Sequence, residues 1–422
     1  MKTMEIPRII KVDNANSFVG IKIMDGEATL FVPAAFRVEN NTKVLRKELL
    51  LFLKSISIAK SYERYKISDS KESYKENVWP IESFLWLIQD YLQNGVFYNR
   101  EKQYVSDGKG KIDWKRTLHN VPIMSEGNVI YDKLICSRMT PTNDLISQVY
   151  KICVYQSQIN IGWLFGYDFT IDVQQIRSIN EMIYAVTKEM KQTYDDVKKI
   201  RFIHMLNVLR NISGENALST YSTYGIENYY YVFEAMVDKI FKGIPSYEKK
   251  KYNPVGFWKI NGQNEVESSN LRPDTIHKRN NEIFIIDAKM YQYGITKEIG
   301  DLPTTTSMQK QITYGDYVKK VSEEGVQIRN AFVLPYDKTS DKFMHDDNIV
   351  KFNDNNLAYI GEAYVSWRNE EVVEEFDYVY TFLIDFNYLL NSYLGCDNTN
   401  IDILCDEINS RIEAKKKLQI YI

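Results

Sequence analysis

Between residues 225 and 336 the chain reads as a helix, a two-stranded hairpin, a second helix and a further strand, and this order restricts the fold more than any other feature. The first helix is GIENYYYVFEAMVDKIFKGI (225–244), with apolar residues at helical spacing. The hairpin lies in NLRPDTIHKRNNEIFIIDAKMY (270–291), after a basic loop. The second helix is SMQKQITYGDYVKKVSEE (307–324), followed by the strand RNAFVLPY (329–336). LAYIGEAYVSW and TFLIDF supply later strands. Alternating helices and strands predict an α/β architecture, a mixed sheet flanked by helices.

The preceding half reads differently. Residues 19–38 predict a strand, a DG turn and a second strand, and residues 43–60 an amphipathic helix. A polar stretch at 68–77 predicts a loop. Pro80 suits the first position of a helix over IESFLWLIQDYLQN, which Gly95 stops. The block SDGKGKIDWKRTLHNVP (106–122) is dense in Gly and Lys, and NVIYDKLI (128–135) predicts a short strand. From Asn143 to about Arg210 the pattern is helical, and SGENALS (213–219) interrupts it. The expected organisation is an N-terminal α+β regulatory and partner-binding domain over 1–140, a helical connector over 141–215, and the chemistry-bearing α/β domain over 216–422. No internal repeat or low-complexity tract stands out.

Composition excludes several classes. With 422 residues, 44% hydrophobic and 26% charged, the chain has globular proportions and room for more than one core. It has no apolar run of membrane-spanning length, and MKTMEIPRIIKVDN lacks the apolar stretch of a signal peptide, so a cytoplasmic protein without membrane partners is expected. Cys136, Cys153, Cys396 and Cys405 show no CxxC spacing, and the four histidines show no HExxH, which argues against zinc sites and disulfides. A net charge of −3 constrains any nucleic-acid role, because phosphate binding draws on Lys and Arg. Such a chain concentrates its positive charge locally, as at 109–116, 248–251, 278–279 and 415–417, or borrows DNA affinity from a partner.

The segment that carries chemistry is Arg272-Pro273-Asp274, twelve residues, then Asp287-Ala288-Lys289. Two carboxylates suffice as protein anchors for Mg²⁺, which takes oxygen ligands and keeps several waters. A lysine beside the second carboxylate can orient a water or stabilise developing negative charge. Strand alternation puts Asp287 and Lys289 on one side, and leaves the Ala288 backbone carbonyl as a further candidate ligand. The D/E-x-K tripeptide recurs at seven other places, starting at Asp69, Asp107, Asp113, Glu189, Asp196, Glu248 and Glu413. Only the copy at Asp287 ends an apolar strand, Ile283–Ile286, and follows a strand carrying Pro-Asp. The bland alternative is a surface hairpin with a terminal Asp–Lys ion pair, worth little energetically.

This segment resembles the PD-(D/E)XK nuclease superfamily. With the FEAMV helix, the KQITYGDYV helix and the GKGKIDWKRT block, the chain resembles the LlaJI-type restriction endonucleases, relatives of the McrC nuclease subunit. The resemblance implies a nuclease core in 216–422 that cleaves double-stranded DNA with Mg²⁺, Mn²⁺ being able to substitute. It implies Asp274 and Asp287 as metal ligands, Lys289 as the catalytic lysine and Glu234 as a further carboxylate. It also implies a helical Gln–Tyr pair that steers substrate, here Gln311 and Tyr314, with Gln309 a rival for the glutamine. By the same resemblance Lys111, Trp114, Lys115 and Arg116 form a finger that touches an McrB-like AAA+ GTPase ring or DNA, the partners including a second nuclease subunit for the other strand. GKGKID is not a Walker A loop, so GTP binding by this chain itself is not expected. A stand-alone sequence-specific endonuclease and a non-catalytic DNA-binding or assembly subunit remain the alternatives.

Overall fold

The computed structural model describes residues 6–13, 17–24, 27–59, 80–142, 145–165, 170–173, 178–212, 221–368, 374–395 and 400–420. The expected DG turn at 25–26, the loop at 68–77, the break at 213–219 and Cys396 lie outside them. The architecture is mixed α/β, as the order of elements predicts. The chain divides into two compact units, one of Met1–Glu5 and Asn77–Ser222, the other of Ile6–Glu76 and Thr223–Ile422.

The second unit is built on a six-stranded mixed sheet. Its strands run, in spatial order, Thr275–Arg279, Glu282–Ala288, Gln327–Tyr336, Val379–Asp385, Leu357–Ala363 and Val350–Phe352. The first pair is an antiparallel hairpin, turned through Asn280 at φ 54°, a left-handed conformation that asparagine tolerates. The next two pairings are parallel and the last two antiparallel. Strand Glu282–Ala288 is buried from Ile283 onward, and Val379–Asp385 is buried throughout. Strands buried on both faces need cover on both. Helix Thr305–Val321 packs on the three central strands, where Ile283 and Ile285 meet Tyr314 and Val318. Helix Tyr230–Ile240 packs on the hairpin.

A four-stranded sheet belongs to the same unit, in the order Arg8–Val12, Glu27–Pro33, Val19–Met24, Tyr221–Ile226. The last of these was expected to open a helix at 225, yet the helix starts at Tyr230. Two glycines make the strand possible. A Cβ on Gly20 would lie 2.2 Å from the Tyr224 carbonyl oxygen, and one on Gly225 would lie 2.3 Å from that of Val19. Residues 34–59 join the unit through Arg37, whose guanidinium donates to Asp385 Oδ2 at 2.9 Å and whose amide donates to Asn387 Oδ1 at 2.8 Å.

The first unit packs helices Ile81–Asn94, Leu145–Ile161, Ile179–Gln192 and Asp196–Ile212. At their centre the Arg201 guanidinium grips Asp90 with two hydrogen bonds of 2.8 and 2.9 Å, and the Tyr150 hydroxyl donates to the same carboxylate at 2.8 Å. Strands Asn99–Ser106, Ile135–Thr142 and Lys111–Ile112 form a small sheet, and Ile123–Ser125 pairs with Asn128–Ile130 in a separate ribbon. Residues 6–76 fall with 223–422, and helices 145–212 share a unit with 80–142. The reason is non-local pairing, such as Arg37 with Asp385 and Asp90 with Arg201, which local periodicity does not display.

Candidate active site

The hairpin places the two predicted carboxylates together. Thr275 pairs with Ile286, so one step outward the register sets Asp274 across from Asp287. The Ala288 amide donates to Asp274 Oδ2 at 3.1 Å, which fixes that carboxylate over the neighbouring strand. Both acids are buried, Asp274 to 8% and Asp287 to 2% exposure. Lys289 continues the strand, its amide donating to the Val333 carbonyl, and its ammonium lies 2.5 Å from Asp287 Oδ2. Asp287 and Lys289 thus share one side, as alternation predicts. Asp287 Oδ1 is buried and finds no hydrogen-bond partner among the described residues.

The electrostatics follow from this geometry. Burial raises the Asp287 carboxyl from its ordinary 3.8 to about 7; the charge of Asp274 adds to the rise and Lys289 opposes it. Burial alone would lower the Lys289 ammonium, but Asp287, Asp274 and Glu234 outweigh it and hold the lysine above its ordinary range. Glu234, half-buried on helix Tyr230–Ile240, is therefore part of the same field.

Among the described residues no three His, Cys, Asp or Glu side chains gather as a metal cage. Mg²⁺ does not require one, since waters and main-chain oxygens complete its shell. Two facing carboxylates and a buried orphan oxygen fit a divalent cation. The Ala288 amide is hydrogen-bonded to Asp274, and the Ala288 carbonyl remains a candidate ligand.

Gln311 and Tyr314, expected to steer substrate, are both fully buried, and each bonds to main chain near one of the acids. Gln311 Nε2 donates to the Ile285 carbonyl at 2.8 Å, two residues before Asp287. The Tyr314 hydroxyl donates to the Arg272 carbonyl at 3.0 Å, two residues before Asp274. They brace the strands that carry the acids. Gln309, the rival, is exposed on the same helix.

Sequence reasoning missed Lys249. Its ammonium donates to the Asp274 carbonyl at 2.7 Å and pairs with Asp238, pinning the turn that aims Asp274. The only signal was the run Glu248–Lys251, which reads as solvated surface.

Lys111, Trp114, Lys115 and Arg116 lie in the other unit, all exposed. Asp113 caps the short helix Trp114–Thr117 by accepting from the Arg116 amide at 3.1 Å, and the Arg116 guanidinium stacks 3.7 Å over Tyr104. Trp114 is 55% exposed, so it is no packing anchor.

Comparison with known proteins bears on this arrangement. A curated relative, the type II restriction enzyme BsuMI component YdjA of Bacillus subtilis (strain 168), is 27% identical over 293 residues, or 64% of this chain. The match spans 61% of that relative's length. One structural neighbour is a half-complex from a tetradecameric assembly of Thermococcus gammatolerans McrB AAA+ hexamers with bound McrC, at 12% identity and TM-score 0.38, covering 90% of this chain and 82% of that one. A cryo-EM structure of the McrBC complex from the same organism aligns at 16% identity and TM-score 0.22, over 52% and 64% of the two chains. At these scores neither likeness bears on the fold or the site. The family model of the LlaJI restriction endonucleases matches residues 18–367, a span that includes both carboxylates and Lys289, and the chain belongs to that family.

Proposed function

We propose that this chain is the DNA-cleaving subunit of a restriction system, a metal-dependent phosphodiesterase of the PD-(D/E)XK type acting on double-stranded DNA. One observation carries the reading: Asp274 and Asp287 are buried face to face beside Lys289, with Asp287 Oδ1 left unsatisfied. Like charges this close are costly without a cation between them. Asp274 and Asp287 would hold Mg²⁺ or Mn²⁺, which when bound neutralises phosphate charge and acidifies a water. The Ala288 amide keeps the Asp274 carboxylate in place for that duty. Lys289, held charged by its three acidic neighbours, donates a hydrogen bond toward the attacking water or the phosphorane oxygens. Glu234 sustains that charge from the adjacent helix.

The finger fits a protein partner better than DNA. Beside its basic residues it exposes Leu118, Val121, Ile123, Met124, Val129 and Ile130, each at least half exposed. Apolar surface of this extent marks protein contact. The reading takes that partner to be an McrB-like AAA+ GTPase ring, with a second nuclease subunit for the other strand.

Nicking and linearisation of supercoiled plasmid test the proposal, in Mg²⁺ or Mn²⁺ against EDTA, with and without an added McrB-like AAA+ GTPase. Cleavage is expected only with metal, and more strongly with the partner. Cleavage that persists in EDTA, or that Asp274→Ala leaves at the wild-type rate, overturns the reading.

A further inference from the structure

Directly before Asp274 the chain makes an antiparallel ribbon, Val255–Trp258 with Val266–Asn270, where sequence reading expected only a basic loop. The Leu271 amide closes its base by donating to the Pro254 carbonyl at 3.0 Å, three residues from the candidate metal ligand. Both faces of the ribbon are open to solvent, with Phe257 at 59%, Trp258 at 66%, Ile260 at 53% and Val266 at 55% exposure.

A ribbon that keeps its aromatics in water contributes little burial to the fold. Its two faces also differ. Trp258 pairs with Val266, giving one apolar face, whereas Phe257 pairs with Glu267. Exposed cations Lys250, Lys251, Lys259 and Arg272 surround the tip and base of the ribbon. Its base is covalently continuous with the strand that presents Asp274, so a phosphodiester at the carboxylates would bring the flanking duplex past it. The width of a two-stranded ribbon suits a DNA groove, and apolar side chains in such a position act as wedges between base steps.

We infer that the 255–270 ribbon is a DNA-contact arm, with Trp258 inserting its ring at the duplex and Arg272 and Lys259 holding flanking phosphates. The inference rests on the proposed nuclease reading and adds to it the element that grips the substrate. Acidic Glu267 falls on the Phe257 side, which turns the Trp258–Val266 face toward the nucleic acid.

The test is fluorescence anisotropy of a labelled 30-base-pair duplex, of roughly the length such a footprint needs, titrated with the full chain in EDTA at low salt. Trp258→Ala is expected to weaken binding about tenfold, with Trp258→Phe restoring most of it, since ring contacts with bases are sequence-tolerant. Arg272→Ala is expected to lower the slope of log K against log salt by about one. Trp258→Ala binding the duplex as tightly as wild type overturns the arm, while metal-dependent plasmid cleavage by that variant leaves the nuclease reading standing. The same unchanged binding with a loss of self-association or partner capture overturns it too, and makes the ribbon a protein-docking surface. A wild-type chain that neither binds duplex nor cleaves plasmid removes both readings together.

Discussion

Asp90 and Asp287 are both buried carboxylates paired with a cation, one in each unit, and they are held in opposite states. Asp90 receives hydrogen bonds from Arg201, Tyr150 and Asn94 on both oxygens. Burial pushes its carboxyl up, but these bonds outweigh burial and leave it below the ordinary carboxylate range. Asp287 has Lys289 on one oxygen, no hydrogen-bond partner for the other among the described residues, and a second carboxylate opposite. Its carboxyl is raised to about 7. The first acid is satisfied and therefore stabilises. The second is left short, which natural structures tolerate chiefly where a ligand completes the set.

The sharpest way to break this contrast is to remove each acid in turn. Asp287→Ala is expected to reduce plasmid cleavage by about 10³-fold or more, on the order of 4 kcal/mol, without lowering the urea midpoint of the metal-free protein. A fall in midpoint comparable to that of an Asp90 variant would make Asp287 a structural acid. Asp90→Ala is expected to cost about 3–5 kcal/mol of stability, because it strands Arg201 in the core. Denaturation read by a probe in the helical unit checks this, and cleavage per folded molecule should persist under native conditions.

The pH dependences should run in opposite directions. The Asp90 pKa is depressed in the fold, so its contribution is present above the unfolded value and is lost as pH falls through the folded one. The Asp287 pKa is raised, so the folded state holds its proton longer than the unfolded state does. Stability of the metal-free protein should therefore decline as pH rises from about 4 to about 7, by on the order of 2–4 kcal/mol. Asp287→Asn should flatten that decline, and Mg²⁺ should offset it. A decline of equal size in the Asn variant would assign it elsewhere. The smallest expected effect is at Tyr314→Phe, which removes the hydroxyl bond to the Arg272 carbonyl. It should cost about 1 kcal/mol of stability and slow cleavage a few-fold, with metal affinity little changed; full activity would show that the Asp274 turn needs no such brace.

Much of the fold was legible because its signals are local. The apolar run Ile283–Ile286 marked a buried strand, and the helix expected at 307–324 forms at Thr305–Val321. Pro80 and Gly95 bound the helix Ile81–Asn94 as their backbone chemistry requires. The site was legible for a related reason. Asp274 and Asp287 lie on consecutive strands, so a hairpin register brings them together without knowledge of the rest of the molecule. The burial of Gln311 and Tyr314 was not legible, because helical spacing says which residues share a face and not whether that face meets solvent or core. The ribbon at 255–270 was overlooked because its short strands carry glycine and polar residues and bury little.

The sequence by itself determined the α/β class, the hairpin, and the identity and one-sided arrangement of Asp287 and Lys289. All of these depend on residues near one another in the chain. Only the tertiary structure decided that Asp287 is left with an unsatisfied oxygen, that Lys249 and Tyr314 hold the Asp274 turn, and that residues 6–76 belong with the C-terminal unit. Those outcomes depend on which distant groups come to lie within a few ångströms. Burial and partner geometry, rather than residue type, then set whether a charge stabilises the fold or is poised for a ligand.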